Sequence, residues 1–274
     1  INYEKSFCGI SKDGPGGIAS NSGGILILDG VIYDNDVHQS QLDLNDAKDE
    51  ELIAERIVRY GLTKALSELN GDFAITWIPR TENNIYIARD IFGQRPLYYA
   101  KWRDGWAVSS QPSGLLNIQG ISHKLNTDYL VRYGSMHYRM IDNSPTDSPY
   151  KAINQVAGAT FVKLGFDNEV MVNKYWTLDY DYQSSMSSQE LIETYRLLLL
   201  DSTRIRLNRF ERSSIGFTLS GGMDSSSILA SAVKLRSEPQ IAYSTLYEDP
   251  SYDERHEIKD ILPGYVSDWR KVLL

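Results

Sequence analysis

Apolar and polar positions alternate with two different periods along this chain, that of strands and that of helices. In the first half, short runs rich in β-branched and aromatic residues recur between Gly, Pro, Asn or Asp. They are Gly24-Ile25-Leu26-Ile27-Leu28, Phe73-Ala74-Ile75-Thr76-Trp77-Ile78, Ile85-Tyr86-Ile87-Ala88, Leu97-Tyr98-Tyr99-Ala100 and Trp106-Ala107-Val108-Ser109. Such runs read as strands joined by tight turns. A helix is predicted from Asp49 to Leu69, where Leu52, Ile53, Ile57, Tyr60, Leu62 and Leu66 lay an apolar stripe on one face. Further strands follow at Thr160 to Leu164 and Val170 to Val172, turning through Gly165-Phe166-Asp167-Asn168. The sum is a sheet with helix cover.

The polar stretch Asp179-Tyr180-Asp181-Tyr182-Gln183-Ser184-Ser185 then marks a boundary, giving domains 1–182 and 183–274. Beyond it, Ser187-Ser188-Gln189-Glu190 has the spacing of a capping box, in which hydroxyl and carboxylate each satisfy an orphan backbone donor. A helix to about Leu207 is expected. Leu191, Ile192, Tyr195, Leu198, Leu199 and Ile205 form its stripe, to be buried, with Leu197 to Leu200 as core. A strand at Ile215 to Leu219, a helix from Asp224 through Leu235 and a strand at Ile241 to Leu246 make a βαβ unit, hence a parallel sheet.

Composition narrows the function classes. An apolar share of 42% and a charged share of 23% are those of a globular protein, with no apolar run long enough to span a membrane. A net charge of -8 argues against a nucleic-acid partner. One cysteine, Cys8, permits no internal disulfide, and no apolar signal segment opens the chain, so the expected location is cytoplasmic. His38, His123, His137 and His256 lie too far apart for metal-ligand spacing. The chain lacks an initiator Met and ends soon after its glycine loop; segments are expected to be missing before Leu28 and after about Glu254.

The chemistry concentrates at Leu219-Ser220-Gly221-Gly222-Met223-Asp224-Ser225. Two glycines between a strand and a helix let backbone N–H groups approach an anion, and the helix N-terminus adds the positive end of its dipole. Ser220 and Ser225 supply hydroxyl donors, and Asp224 beside phosphates calls for a cation, most simply Mg²⁺. The loop has no Lys after Gly222, so it is not a Walker A, and Thr218 takes the place of the first Gly of a nucleophile elbow. A plain tight turn is the alternative.

Phe217 to Ser226 resembles the pyrophosphate loop of the asparagine synthetase family, and Ala242 to Leu246 resembles the following strand, whose end cradles adenine. Leu69-Asn70-Gly71-Asp72-Phe73-Ala74 and Ala88-Arg89-Asp90-Ile91-Phe92-Gly93-Gln94-Arg95-Pro96-Leu97-Tyr98-Tyr99 resemble that family's glutaminase-like domain. The resemblance implies a two-domain α+β chain: an N-terminal Ntn-hydrolase-like αββα sandwich and a C-terminal α/β parallel-sheet nucleotide domain. It implies ATP and Mg²⁺ as cofactors, bound by Leu219, Ser220, Gly221, Gly222, Asp224, Ser225, Ser244 and Leu246. It further implies Asp224 as the metal ligand and Asp224 with Ser220 as the catalytic groups, Ser220 donating a hydrogen bond to phosphate rather than acting as a nucleophile.

The chain departs from the family at its glutaminase positions. Cys8-Gly9-Ile10 resembles the nucleophile's context but follows seven other residues. Asp29 stands where the resemblance places an oxyanion-hole Asn, and Val31 where it places the Glu that holds the substrate amine. Neither supplies the lost role. The implied activity is amide-bond formation through an acyl-adenylate with an amine from the substrate itself, as in lasso peptide cyclases or, second, β-lactam synthetases. The partners are then a peptide or small-molecule carboxylate substrate and a leader-peptide-binding or protease protein. Glutamine-dependent asparagine synthesis, a silent nucleotide-binding module and a serine hydrolase are the rivals. Arg89, Asp90 and Arg95 are expected to be structural.

Overall fold

A computed structural model describes residues 15–44, 46–135, 144–211, 214–249, 251 and 253–273. Cys8 and His137 lie outside the described residues. The chain divides into two compact units, Ile1–Tyr180 and Asp181–Leu274.

In the first unit β1 (Gly16–Ser20), β2 (Gly24–Ile32), β3 (Gly71–Pro79), β4 (Asn84–Arg89), β8 (Thr160–Gly165) and β9 (Val170–Lys174) form a sheet in the order β1-β2-β3-β4-β8-β9. Every pairing in it is antiparallel. A smaller antiparallel sheet holds β5 (Tyr98–Trp102), β6 (Gly105–Ser109) and β7 (Asn154–Gln155) in the order β6-β5-β7.

Side-chain alternation sets the layers. Phe73, Ile75 and Trp77 of β3 face a core shared with α2 (Asp49–Tyr60) and α3 (Leu62–Ser67), through Ile53, Ile57 and Leu66. Ala74, between them, faces the other way and packs with Ile87, Tyr99 and Val162, between the two sheets. The far face of the smaller sheet, at Ala100 and Ala107, is covered by Leu115 of α4 (Pro112–Leu116). Helix, sheet, sheet, helix is the αββα order that the resemblance implies.

The helix expected from Asp49 to Leu69 is in fact two. Gly61 has φ 81° and ψ 158°, a conformation reserved for glycine, and the chain bends there before resuming helix. The apolar stripe survives, because Leu52, Ile53, Ile57 and Leu66 are all buried. Several short elements are additional to those predicted: β1, β7, α1 (Asn35–Leu42), α4 and α5 (Thr127–Ser135). β1 runs into β2 through a turn closed by Asn21 N–H on Gly24 O at 3.0 Å.

The second unit begins with α6 (Ser188–Arg209). Its capping box forms as predicted: Ser187 N donates to Glu190 Oε2 at 2.7 Å and Glu190 N to Ser187 Oγ at 3.4 Å. Burial of the helix differs from expectation. Leu191, Ile192, Tyr195, Leu197 and Leu198 are exposed, and only Thr203 and Leu207 are buried. Amphipathic spacing shows that a face suits burial; it does not supply the surface that covers it.

Strands β10 (Phe217–Thr218), β11 (Gln240–Leu246) and β12 (Val266–Leu273) form a parallel sheet in that order. Helix α7 (Met223–Arg236) links the first two strands and α8 (Arg255–Tyr265) the last two, so two βαβ units follow in succession. Leu219, Leu229, Ala232, Ala242, Leu246 and Ile258 make their common core. α8 kinks out of helix at Pro263 and Gly264 and passes straight into β12. Among the described residues no helix is long and apolar enough to cross a membrane.

Candidate functional site

The glycine loop sits where its sequence predicts, at the C-terminal end of β10 and the start of α7. Leu219 is buried; it anchors the loop by donating its N–H to Tyr243 O at 2.8 Å. Ser220 then turns into solvent. Its hydroxyl lies 3.0 Å from that of Ser225, and Ser220 N donates to Ser225 Oγ at 3.2 Å. The two hydroxyls therefore converge across the mouth of the loop. Gly222 is the N-cap of α7 and no side chain caps it, which leaves the helix's positive end directed at the same opening.

The two glycines are required for different reasons. A Cβ on Gly222 would meet only Ser220 Oγ, at 3.2 Å, so the protein itself hardly demands glycine there. The room is on the open side, where a phosphate oxygen would need it. A Cβ on Gly221 would stand 2.8 Å from Glu257 Cβ and 3.3 Å from Glu254 Cβ. Glycine at 221 is what lets the first turn of α8 close on the loop.

Asp224, on the first turn of α7, is exposed and makes no hydrogen bond or ion pair with another described residue. Among the described residues no group of three His, Cys, Asp or Glu side chains could cage a metal. A lone carboxylate beside an anion loop suits Mg²⁺, which takes one or two protein carboxylates and completes its shell with phosphate and water oxygens.

Two residues implied as nucleotide contacts have other engagements. Ser244 is buried; its hydroxyl donates to Leu219 O at 2.6 Å and accepts from Trp269 Nε1 at 2.9 Å. It ties β10, β11 and β12 together rather than presenting a free donor. Leu246 is buried in the core of this unit.

Sequence reasoning missed Glu254. As N-cap of α8 it does not cap its own helix; its Oε2 accepts the Gly221 N–H at 3.1 Å. Nearby, Arg255 Nε donates to both Asp253 oxygens at 2.7 and 2.8 Å, a bond that holds the Asp253 carboxyl below its ordinary pKa and raises that of Arg255. Nothing in the sequence places residues 33 positions downstream against the loop.

In the first unit, Arg89 and Asp90 serve the backbone. Arg89 donates to Arg95 O at 2.6 Å, to Val156 O at 2.5 Å and to Gly93 O, and burial lowers its pKa. Asp90 accepts from the N–H groups of Phe73, Phe92, Gln94 and Arg95 at 2.9 to 3.2 Å. The Arg95 side chain does something else: its Nη1 lies 3.6 Å from Asp29 Oδ1. Val31, two residues on, is 4% exposed and belongs to the interior.

Comparison with known proteins agrees with this layout. Residues 10–176 match the family described as a glutamine amidotransferase domain, and residues 194–273 match that described as asparagine synthase. The glutamine-hydrolysing asparagine synthetase of Rattus norvegicus is 27% identical over 225 residues, covering 80% of this chain and 38% of the relative. That of Homo sapiens is 26% identical over 224 residues, covering 80% and 37%. The chain thus spans well under half the length of these curated relatives. Among solved structures, the glutamine phosphoribosylpyrophosphate amidotransferase of B. subtilis aligns over 93% of this chain and 62% of its own, at 13% identity and a TM-score of 0.38. With an amidotransferase domain over more than half of its length, followed by an asparagine synthase segment, the chain belongs to the asparagine synthetase family.

Proposed function

We propose that this chain carries the ATP site of an amide ligase that activates a carboxylate by adenylation and joins it to an amine of the same substrate. The observation that supports the first part is the loop itself: converging Ser220 and Ser225 hydroxyls, an uncapped helix start and a single exposed carboxylate at Asp224. In such a site a substrate carboxylate oxygen attacks the α-phosphorus of ATP, the bond to the β-phosphate oxygen breaks, and pyrophosphate departs with its negative charge. Ser220, Ser225 and the backbone donors hold that charge, which is electrostatic stabilisation of the leaving group. Asp224 would hold Mg²⁺, which when bound neutralises charge on the phosphates.

The second part is supported by the first unit. Glutamine hydrolysis needs a donor for an oxyanion and a carboxylate for the substrate's amine; here Asp29 is engaged by Arg95 and Val31 is buried. An amine tethered to the activated carboxylate removes that need, because the high effective concentration of a tethered nucleophile replaces delivered ammonia. Macrolactam closure of a lasso-type peptide is the favoured form, with a leader-peptide-binding or protease protein as partner, and closure of a small-molecule lactam the next. The names of the curated relatives favour a second reading, glutamine-dependent asparagine synthesis.

ATP–pyrophosphate exchange against a panel of carboxylates, run beside a glutaminase assay, tests both parts. Exchange without glutamine hydrolysis, unaffected by Cys8→Ala, supports the proposal. Glutamine hydrolysis that Cys8→Ala abolishes would establish the second reading, and a protein that catalyses no exchange would reject adenylation.

A further inference from the structure

The Gly221 N–H already has an anion. Glu254 Oε2 accepts it at 3.1 Å, although Glu254 lies 33 residues away at the start of α8. The side chain of an N-cap Ser, Thr, Asp or Asn turns back to the first N–H groups of its own helix. That of Glu254 makes no such bond and reaches across to the loop instead. The approach is close on both sides, since the missing Cβ of Gly221 is filled by the Cβ atoms of Glu254 and Glu257. Asp224, the acid that belongs to the loop in sequence, makes no comparable contact among the described residues.

A carboxylate and a phosphate want the same donor, and they repel each other when both are present. We infer that Glu254 is an internal latch on the pyrophosphate loop: its carboxylate holds the Gly221 N–H and carries α8 against the loop, and a polyphosphate binds by displacing it. The inference rests on the proposed reading of the loop as a pyrophosphate site. Displacement frees the Gly221 donor for the ligand and releases the first turn of α8. The latch lowers anion affinity by the fraction of time it is open, so that an anion which cannot replace the lost bond with several of its own is excluded. Pyrophosphate, offering many oxygens to Ser220, Ser225 and the helix start, can replace it; a single carboxylate or chloride ion cannot.

Removing any acidic charge near the loop would favour anions somewhat, so the test needs a second acid as its control. Glu257 is that control: its Cβ is nearer to the Gly221 position than that of Glu254, and its carboxylate makes no bond to the Gly221 N–H. Binding of inorganic pyrophosphate to the full chain would be measured by calorimetry, without metal and with Mg²⁺, for the wild type, Glu254→Gln and Glu257→Gln. Circular dichroism would establish that all three are folded. The expected result is metal-free affinity about tenfold higher for Glu254→Gln, the order of one charge-assisted bond, against roughly two- to threefold for Glu257→Gln. Amide exchange over residues 255–258 should also quicken when pyrophosphate binds the wild type. Equal gains in the two variants would overturn the latch and leave only general charge repulsion. Weaker binding by Glu254→Gln would overturn it too, making Glu254 a contributor to the bound state. If none of the three proteins binds pyrophosphate, the reading of the loop fails and the latch fails with it.

Discussion

Ser244→Ala separates a strand tie from a nucleotide contact. The hydroxyl is 2.6 Å from Leu219 O, to which it donates, and 2.9 Å from Trp269 Nε1, from which it accepts. Leu219 is 3% exposed, so its carbonyl loses a partner that water replaces poorly. An orphaned buried acceptor costs about 1–3 kcal/mol. The Trp269 indole is only half-buried and regains water, which places its loss at the low end of roughly 0.5–1.5 kcal/mol. Together these give about 2–3 kcal/mol against the second unit. With a urea dependence of about 2 kcal/mol per molar, the unfolding midpoint of that unit should fall by about 1–1.5 M. The transition would be followed by hydrogen exchange in peptides from 217–246, which isolates it from the first unit. Pyrophosphate affinity below the transition should change less than about twofold, because neither bond points into the loop mouth. An unchanged midpoint together with a tenfold loss of ATP affinity would refute the assignment and return Ser244 to the nucleotide site.

Asp224→Ala should reduce ATP–pyrophosphate exchange by roughly a hundred- to a thousand-fold, the usual loss for one electrostatic contact to developing charge. Since Asp224 is exposed and unpaired among the described residues, the circular dichroism spectrum and melting point should stay as they are. Arg89→Met orphans three carbonyls around a 5%-exposed side chain and should destabilise the first unit by about 3 kcal/mol or more, measured by urea unfolding. Gly61→Ala forces a Cβ into φ 81°, ψ 158° with nothing within 4 Å to clash, so any loss beyond the roughly 1–3 kcal/mol of backbone strain would contradict the geometry. Burial, and then the hydrogen bond from its hydroxyl to Glu82, raise the Tyr86 pKa from 10.0 to about 12. The fold thus favours the protonated phenol: its contribution is complete below pH 10 and lost as pH rises to about 12, and Tyr86→Phe should make the alkaline decline of the melting temperature shallower.

What the sequence determined is local. The anion loop occupies seven consecutive residues between a strand and a helix, the capping box spans Ser187 to Glu190, and alternation in Phe73, Ala74 and Ile75 already assigns successive side chains to opposite cores. In each case neighbours in the chain are neighbours in space, so spacing is geometry. Tertiary structure decided the pairings between distant residues. Asp29 meets Arg95, Ser244 meets Trp269, and Glu254 meets Gly221 only because sheet order and helix packing bring those backbones together. It also decided which apolar faces found cover: Ile53 and Ile57 on α2 lie against a six-stranded sheet, while Ile192 and Tyr195 on α6, spaced as well for burial, are left exposed. A helical period fixes the direction in which a side chain points, and burial depends on what the rest of the fold puts in front of it.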